Sequence, residues 1–220
     1  DVAILRVRST KNRIIMHYGR EQTDMITSSN NAKVKQVVQW QTKAKERRKD
    51  HVFLAEGVRM CEEAPVKSVR EVYLTEELEQ KLRQNAQNGD TAFWDKLQQT
   101  GYETVSPEVF AKMADTQTPQ GILTVLEQPS YDLTQLLEQP EPLFLILENL
   151  QDPGNLGTMI RTGEGAGITG VIMNNQTVDI FNPKTIRATM GSIFRVPFVY
   201  VPELSPVLTQ MHEKGINTYA

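Results

Sequence analysis

The sequence has very little cysteine and histidine, which narrows the chemistry open to it. Its 220 residues include one cysteine and three histidines. A single cysteine excludes an internal disulfide and a metal site built from several cysteines, and it suits a reducing compartment. The histidines, His17, His51 and His212, are far apart and lack a spacing such as HExxH. We therefore expect no metal, and we interpret Cys61 as a small buried residue rather than a nucleophile.

Long apolar runs and an excess of positive charge are also missing. No apolar stretch approaches the ~18 residues of a membrane span, and the start lacks the apolar core of a secretory signal. We therefore expect a cytoplasmic protein with no membrane partner. With 24 basic and 27 acidic residues the formal net charge is -3. The chain as a whole therefore does not indicate nucleic-acid binding, and any such function must come from local charge.

One segment concentrates positive charge. Between residues 33 and 49 there are seven basic residues and one acid, Glu46. An isolated charge run is usually a solvated helix face. If the ligand is a polyanion, however, this segment is the expected contact, because each phosphate neutralised by Lys or Arg releases counterions. The candidate contacts are Lys43, Lys45, Arg47 and Arg48.

The order of apolar and polar segments predicts an α/β protein with two domains. Residues 1–24 match nothing downstream, and we assign them no role. Residues 25–127 mix strand-like and helix-like segments and predict a small α/β domain. Residues 128–141, rich in Pro, Gln and Glu, are a linker candidate. From residue 142 to 220 strands and helices alternate, with the start of a last strand at "INTYA", which predicts a parallel sheet with helices on its faces.

The first strand of this second domain leads into the glycine-rich stretch "ENLQDPGNLGTMIRTGEGAG", residues 148–167. A dinucleotide-binding loop requires GxGxxG directly after the strand, whereas the dense glycines here come about two helical turns later. A Walker lysine followed by serine or threonine is missing as well. Both features disfavour a nucleotide-binding enzyme of the Rossmann type.

The same stretch contains two residues suited to an anion. Residues 152–154 predict a turn, Asn155 falls where a helix over residues 155–166 begins, and Arg161 follows about two turns later. Backbone amides at a helix start favour an anion, and a guanidinium fork favours phosphate. The alternative is that Asn155 is a plain cap and Arg161 a surface side chain; the physical argument alone leaves both open.

Three motifs resemble one known family. "LENLQDPGNLGTMIRTGEGAGI" resembles the first signature of the SpoU/TrmH branch of the SPOUT methyltransferases, with Asn155 and Arg161 at the spacing of its Asn and Arg. Residues 105–125, together with "FLAEGVRM", resemble the N-terminal substrate-binding domain of the rRNA-modifying members. Residues 179–198 are similar to the family's Pro-Lys...Arg...Ser/Thr-x-Gly segment. The matching residues of that segment are Pro183, Lys184, Arg187, Thr189 and Gly191.

The resemblance, over residues 25–220, implies an enzyme that transfers a methyl group from S-adenosylmethionine to a ribose 2'-hydroxyl of RNA, with rRNA the expected substrate. It implies a homodimer, a cofactor site in a C-terminal trefoil knot, and an N-terminal RNA-binding domain similar to a ribosomal protein. It makes Arg161 the catalytic candidate and Asn155 its structural or catalytic companion. Lys184 and Arg187 would contact RNA phosphate or shape the dimer site.

The role of Arg161 has two versions. The family's arginine has been proposed as the base that removes the hydroxyl proton. Because a guanidinium has a pKa above about 12, it accepts protons poorly near neutral pH. We therefore favour Arg161 as a group that positions the substrate and stabilises the developing alkoxide, acting directly or through a neighbouring phosphate.

The sequence departs from the family pattern at its end. The family's Gly-x-Glu-Gly loop and Pro-Met...Ser-Leu-Asn-Val-Ser segment, which form the knot and hold the cofactor, do not occur in residues 1–220 and would follow Ala220. We therefore expect a C-terminally truncated, partial SPOUT domain that lacks its knot segment and binds S-adenosylmethionine poorly. Its cofactor-binding residues stay unknown. The alternative function is a non-enzymatic RNA-binding remnant.

Overall fold

The computed structural model describes residues 24–219, which form two β-sheets with helices packed on them. The extension predicted at residues 1–24 therefore lies, apart from Asp24, outside the described residues, and so does Ala220. The first group of elements is α1 (Ala32–Thr42), α2 (Ala44–Asp50), β1 (Val52–Glu56), α3 (Val58–Glu63), β2 (Val69–Thr75), α4 (Glu76–Gln87), α5 (Ala92–Thr100), β3 (Glu103–Val105), α6 (Pro107–Met113) and β4 (Ile122–Glu127). The second group is α7 (Leu133–Leu137), β5 (Phe144–Leu147), α8 (Pro153–Gly165), β6 (Gly170–Asn174), α9 (Pro183–Thr189), β7 (Phe198–Val201) and α10 (Ser205–Glu213).

The first sheet has the strand order β1-β4-β2-β3. Strand β4 is antiparallel to both β1 and β2, and β3 is parallel to β2. Because side chains alternate between the faces of a strand, Val52 and Leu54 of β1 pack with α1 and α6, while Phe53 and Ala55 point to the opposite face. Strand β1 is thus buried on both faces, which explains its unbroken apolar run.

The second sheet is fully parallel, with the order β5-β6-β7. Helices α8 and α9 cover one face through residues such as Ile160 and Ile186. Helices α7 and α10 cover the other face, where Leu136 and Met211 pack against Ile172. A parallel sheet covered by helices on both faces is the arrangement predicted from the alternating sequence, and the α/β fold is confirmed.

Two segments differ from the sequence pattern. The proposed linker, residues 128–141, contains α7, which begins after Asp132; that carboxylate accepts a hydrogen bond from the backbone N–H of Gln135 at 2.9 Å. The strand expected at "INTYA", which ends at Ala220, is not formed over residues 216–219. These residues follow the end of α10, where the N–H of Ile216 donates a hydrogen bond to the carbonyl of Met211 at 2.9 Å.

The two groups of elements share one apolar cluster. Phe53 of β1 contacts Phe181, in the loop before α9, with ring centroids 5.0 Å apart. Leu126 of β4 and Met60 of α3 belong to the same buried cluster as Ile186 of α9. The N-terminal domain is therefore packed directly against the α8 and α9 side of the second domain.

Burial also explains why the one cysteine, Cys61, is unreactive. Cys61 is 2% exposed, and burial raises the pKa of its thiol to about 12, so it is protonated at neutral pH and a poor nucleophile. Its interpretation as a buried structural residue is confirmed. Among residues 24–219, no helix combines the length and apolarity needed to cross a bilayer. Over the same residues, no three His, Cys, Asp or Glu side chains are grouped as a metal site would require.

Candidate active site

Helix α8, which carries both catalytic candidates, begins two residues earlier than expected. Asp152 is the N-cap: its Oδ1 accepts a hydrogen bond from the N–H of Asn155 at 2.7 Å, and Pro153 occupies the first helical position. This arrangement is favourable because Asp is a preferred N-cap and Pro has no N–H to leave unpaired. The expectation that the helix begins at Asn155 is therefore wrong, and so is the alternative that Asn155 is its cap. Asn155 lies in the first turn, and its side chain is exposed.

The cap is held in its ionised form. The pKa of Asp152 lies below its usual value of 3.8, chiefly because its carboxylate accepts the Asn155 N–H, with a contribution from the nearby charge of Lys184. The Lys184 Nζ lies 3.6 Å from Oδ2 of Asp152. The side chain of Lys184, on α9, therefore lies close to the N-terminus of α8.

Arg161 is exposed on α8. Among residues 24–219 it forms no ion pair with a carboxylate, so its guanidinium is available to an external anion. It lies six positions after Asn155, which places the two about 120° apart around the helix and about 9 Å apart along its axis. The structure thus puts both candidates on one helix but on different parts of its surface.

A glycine sets the distance between α8 and α9. A Cβ placed on Gly157 would lie 2.6 Å from both the Cβ of Ala188 and the carbonyl oxygen of Thr185, closer than packed atoms approach. The absence of a side chain therefore allows the two helices to pack with their backbones close together. This contact fixes α9, and with it Lys184 and Arg187, relative to α8.

The two predicted contacts on α9 have different surroundings. Asn182 caps the helix by accepting a hydrogen bond from the N–H of Lys184 at 2.9 Å, and the Lys184 side chain is 58% exposed. Arg187 is 33% exposed and forms an ion pair with Asp115, in the loop after α6 of the N-terminal domain. Lys184 is thus open to solvent, whereas Arg187 bridges the two domains.

The four candidate contacts of the basic segment also differ in their exposure to solvent. Lys43, between α1 and α2, and Lys45 and Arg48 on α2 are exposed. Arg47 is 3% exposed. Its guanidinium donates to the carbonyls of Trp40 at 2.7 Å and Gln41 at 3.3 Å, and to the Asp179 carboxylate at 2.7 Å.

The assignment of Arg47 to RNA binding is therefore corrected. A buried guanidinium that already holds a carboxylate and the last carbonyls of α1 cannot reach a phosphate without breaking those bonds. Asp179 belongs to the loop before α9, so Arg47 joins the basic segment to the second domain. Its exposed neighbours stay candidates for RNA contact.

Sequence reasoning missed an arginine that joins the domains. Arg195 donates to Glu164 of α8 and, at 2.8 Å, to Glu63 of α3, while Ser192 also donates to Glu164. The hydrogen bonds from Arg195 hold the pKa values of both glutamates below their usual value of 4.5. The pairs span 31 and 132 residues of sequence. No local spacing signals such partners, and only a family of related sequences could have suggested them.

Helices α8 and α9 bring the charged side chains of the candidate site to neighbouring positions. The residues that bind the cofactor stay unknown. The catalytic candidates and the exposed RNA-binding candidates stay predictions.

The fold and these motifs define an RNA methyltransferase of the SPOUT type. Residues 142–220 match the model of the SpoU rRNA Methylase family, and residues 31–124 match the MRM3-like substrate binding domain. The chain belongs to the SpoU rRNA methylase family, so the resemblance inferred from its motifs is confirmed.

Known relatives agree with this assignment. The 23S rRNA (guanosine(2553)-2'-O)-methyltransferase RlmP of Bacillus subtilis is 34% identical over 197 residues, which cover 88% of this chain and 71% of RlmP. Human mitochondrial rRNA methyltransferase 3 is 41% identical over 110 residues, or 48% of this chain and 26% of the human protein. The crystal structure of an AdoMet-bound rRNA methyltransferase from Sinorhizobium meliloti superimposes with a TM-score of 0.71 at 26% identity, covering 88% of this chain and 69% of that one.

Proposed function

We propose that the protein transfers a methyl group from S-adenosylmethionine to a ribose 2'-hydroxyl of ribosomal RNA. The observation that carries this proposal is the joint match of a SpoU methylase domain and an MRM3-like substrate-binding domain, together with the similarity to RlmP, which is named as a 23S rRNA 2'-O-methyltransferase. The geometry supports it: Arg161, which pairs with no carboxylate among the described residues, projects from α8, next to a helix that presents Lys184. A non-enzymatic RNA-binding role has no observation of its own in its favour.

S-adenosylmethionine supplies an electrophilic methyl group on a sulfonium, and the residues of this chain handle the RNA. The chemistry requires the attacking 2'-oxygen to be held in place and its developing negative charge to be stabilised. The planar guanidinium of Arg161 can hold a phosphate or the alkoxide through two parallel N–H groups. Lys184 adds a solvent-exposed positive charge near the start of the same helix. Asp152, kept ionised by the Asn155 N–H, keeps that helix start ordered.

The experiment is methyl transfer from labelled S-adenosylmethionine to unmethylated ribosomal RNA of the source organism by this protein. The expected product resists alkaline cleavage at one nucleotide, because a 2'-O-methyl group blocks attack on the adjacent phosphodiester. Label on a base, or label in none of the ribosomal RNAs, would rule the proposal out.

We further propose that the protein is a homodimer, as the family resemblance implies, and that it acts in the cytoplasm. Sedimentation equilibrium measures the oligomeric state, and a monomer at micromolar concentration contradicts the dimer. Cell fractionation with an antibody tests the location.

A further inference from the structure

A cleft of about 340 Å³ lies between the two domains, apart from the start of α8. Its N-terminal wall is formed by the end of β1, the start of α3 and the loop between α6 and β4. The second domain contributes Arg187 and Met190. The volume falls at the lower end of the range for small-ligand sites and suits a single nucleotide.

The backbone of this cleft is shaped for close approach. Gly57, between β1 and α3, has φ +95, and a Cβ there would lie 3.1 Å from Oε1 of Gln120. The same Oε1 accepts a hydrogen bond from the N–H of Val58 at 2.9 Å. Because its oxygen is engaged, the carboxamide of Gln120 is held with its NH₂ group as the donor that can serve a ligand.

Charges of both signs surround the cleft, and each of its two arginines already pairs with a carboxylate. Arg59 is 68% exposed and pairs with Glu63 one turn along its own helix. Arg187 pairs with Asp115. Glu56, 9% exposed, already accepts hydrogen bonds from the Asp115 N–H and the Thr116 hydroxyl. An RNA phosphate that binds here exchanges with Glu63 for the guanidinium of Arg59 and with Asp115 for that of Arg187, while Glu56 keeps its hydrogen bonds to the loop.

We propose that this cleft binds one nucleotide of the RNA substrate other than the one that is methylated. Arg59 and Arg187 contact its phosphate, the NH₂ of Gln120 donates to an acceptor on the base edge, and the exposed thioether of Met190 packs against the base face. The proposal rests on the proposed function, because it assumes that RNA lies across both domains. It gives the protein a means of choosing the sequence beside its target.

The first test measures binding of a fluorescent, single-stranded RNA of random sequence over a range of salt concentrations. Arg59→Gln is expected to lower the affinity about three- to tenfold and to reduce the salt slope by about 0.7, the value for one phosphate contact in a single strand. Arg83→Gln is the matched control, since Arg83 is 58% exposed and also pairs with a glutamate four residues away. If the two variants bind equally well, the phosphate contact is absent and the proposal is overturned.

The second test removes the carboxylate that pairs with Arg187 and keeps the cation itself. Asp115→Asn is expected to raise the affinity for the same RNA about threefold, because Arg187 then faces the cleft without a counter-charge. Asp90→Asn, in the exposed loop after α4, changes the net charge equally and is expected to leave the affinity unchanged. An affinity that falls or stays the same in Asp115→Asn contradicts the proposal, because a bridge with a purely structural role predicts no gain.

The third test separates the cleft from the reaction. Gln120→Glu keeps the acceptor for Val58 but loses the donor, and is expected to lower kcat/KM for ribosomal RNA at least about tenfold. Gln84→Glu, exposed on α4, is the control. If the wild type methylates ribosomal RNA and Gln120→Glu does so equally well, the cleft proposal fails while the function stands. If the wild type does not methylate, the function fails and the two binding tests still decide the cleft.

Discussion

Arg161 combines exposure with the lack of an ion-pair partner among the described residues, so a change there tests chemistry rather than stability. Arg161→Lys keeps the charge but loses the planar pair of N–H donors, and we expect the turnover of methyl transfer to fall about 100-fold, as when one oxyanion donor is removed. The melting temperature should not change. Arg83→Lys, another exposed arginine, serves as the control. Turnover close to wild type in Arg161→Lys would rule out a requirement for the guanidinium fork.

Individual residues also mark the limit of sequence reasoning. Arg47 and Arg48 are adjacent and equally basic, yet Arg47 is buried against Asp179 while Arg48 is exposed. Counting charge predicted a basic surface and could not tell the two apart, because the difference depends on a partner 132 positions away. The placement of Asn155 and Arg161 on one helix was predictable because their spacing is local.

At the scale of elements, the packing of α8 on α9 depends on one missing side chain. Gly157→Ala would place a methyl group 2.6 Å from Ala188 and from the backbone of Thr185. We expect it to lower the free energy of unfolding by about 1–3 kcal/mol and to reduce methyl transfer by displacing Lys184 and Arg187. Urea unfolding and the methyl-transfer assay measure the two effects.

The matched control lies on the same helix. A Cβ on Gly165 would meet nothing within 4 Å, and Gly165 is the last residue of α8, so Gly165→Ala should stabilise the protein by no more than about 0.5 kcal/mol through its helix propensity. If Gly157→Ala is also stabilising, the helices have room to adjust and the close contact does not fix α9.

The elements themselves were predictable to different degrees. The apolar strands β5, β6 and β7 and the helices between them follow from local periodicity, and the parallel sheet follows from their alternation. The start of α8 was misplaced because Asp152 and Pro153 had been taken as a turn, whereas together they make a strong helix start. Helix α7 was missed because five residues are too short to show a period.

For the whole molecule, the stability of the folded protein should depend on pH through Glu63 and Glu164. Arg195 holds the pKa values of both below their usual value of 4.5 when the protein is folded. Groups of this kind add stability above the unfolded pKa, and that contribution is lost as the pH falls through the folded pKa. We therefore expect the melting temperature to drop below about pH 4.5, and to drop less steeply in Arg195→Gln.

The control for this pH series is Arg83→Gln, which removes an ion pair within α4 and leaves the domain contact intact. Its melting temperature should follow the wild-type pH dependence. Equal slopes in Arg195→Gln and the wild type would show that these glutamates contribute nothing to the acid sensitivity.

The buried ion pair between Arg47 and Asp179 connects the two domains, so its loss should lower the free energy of unfolding. Arg47→Met removes the cation that pairs with Asp179 and donates to the carbonyls of Trp40 and Gln41, and it leaves Asp179 with the Phe181 N–H as its remaining donor. Breaking a buried pair on one side costs about 3–5 kcal/mol, and Asp179 is 18% exposed, so we expect a loss near the lower value in urea unfolding.

Two further variants decide whether the loss comes from the bridge. Arg48→Met, one residue along the same helix, is exposed and should change the free energy of unfolding by less than about 0.5 kcal/mol. The double variant Arg47→Met/Asp179→Asn should recover part of the loss, because no uncompensated charge remains. If Arg47→Met is as stable as Arg48→Met, the bridge does not hold the domains together.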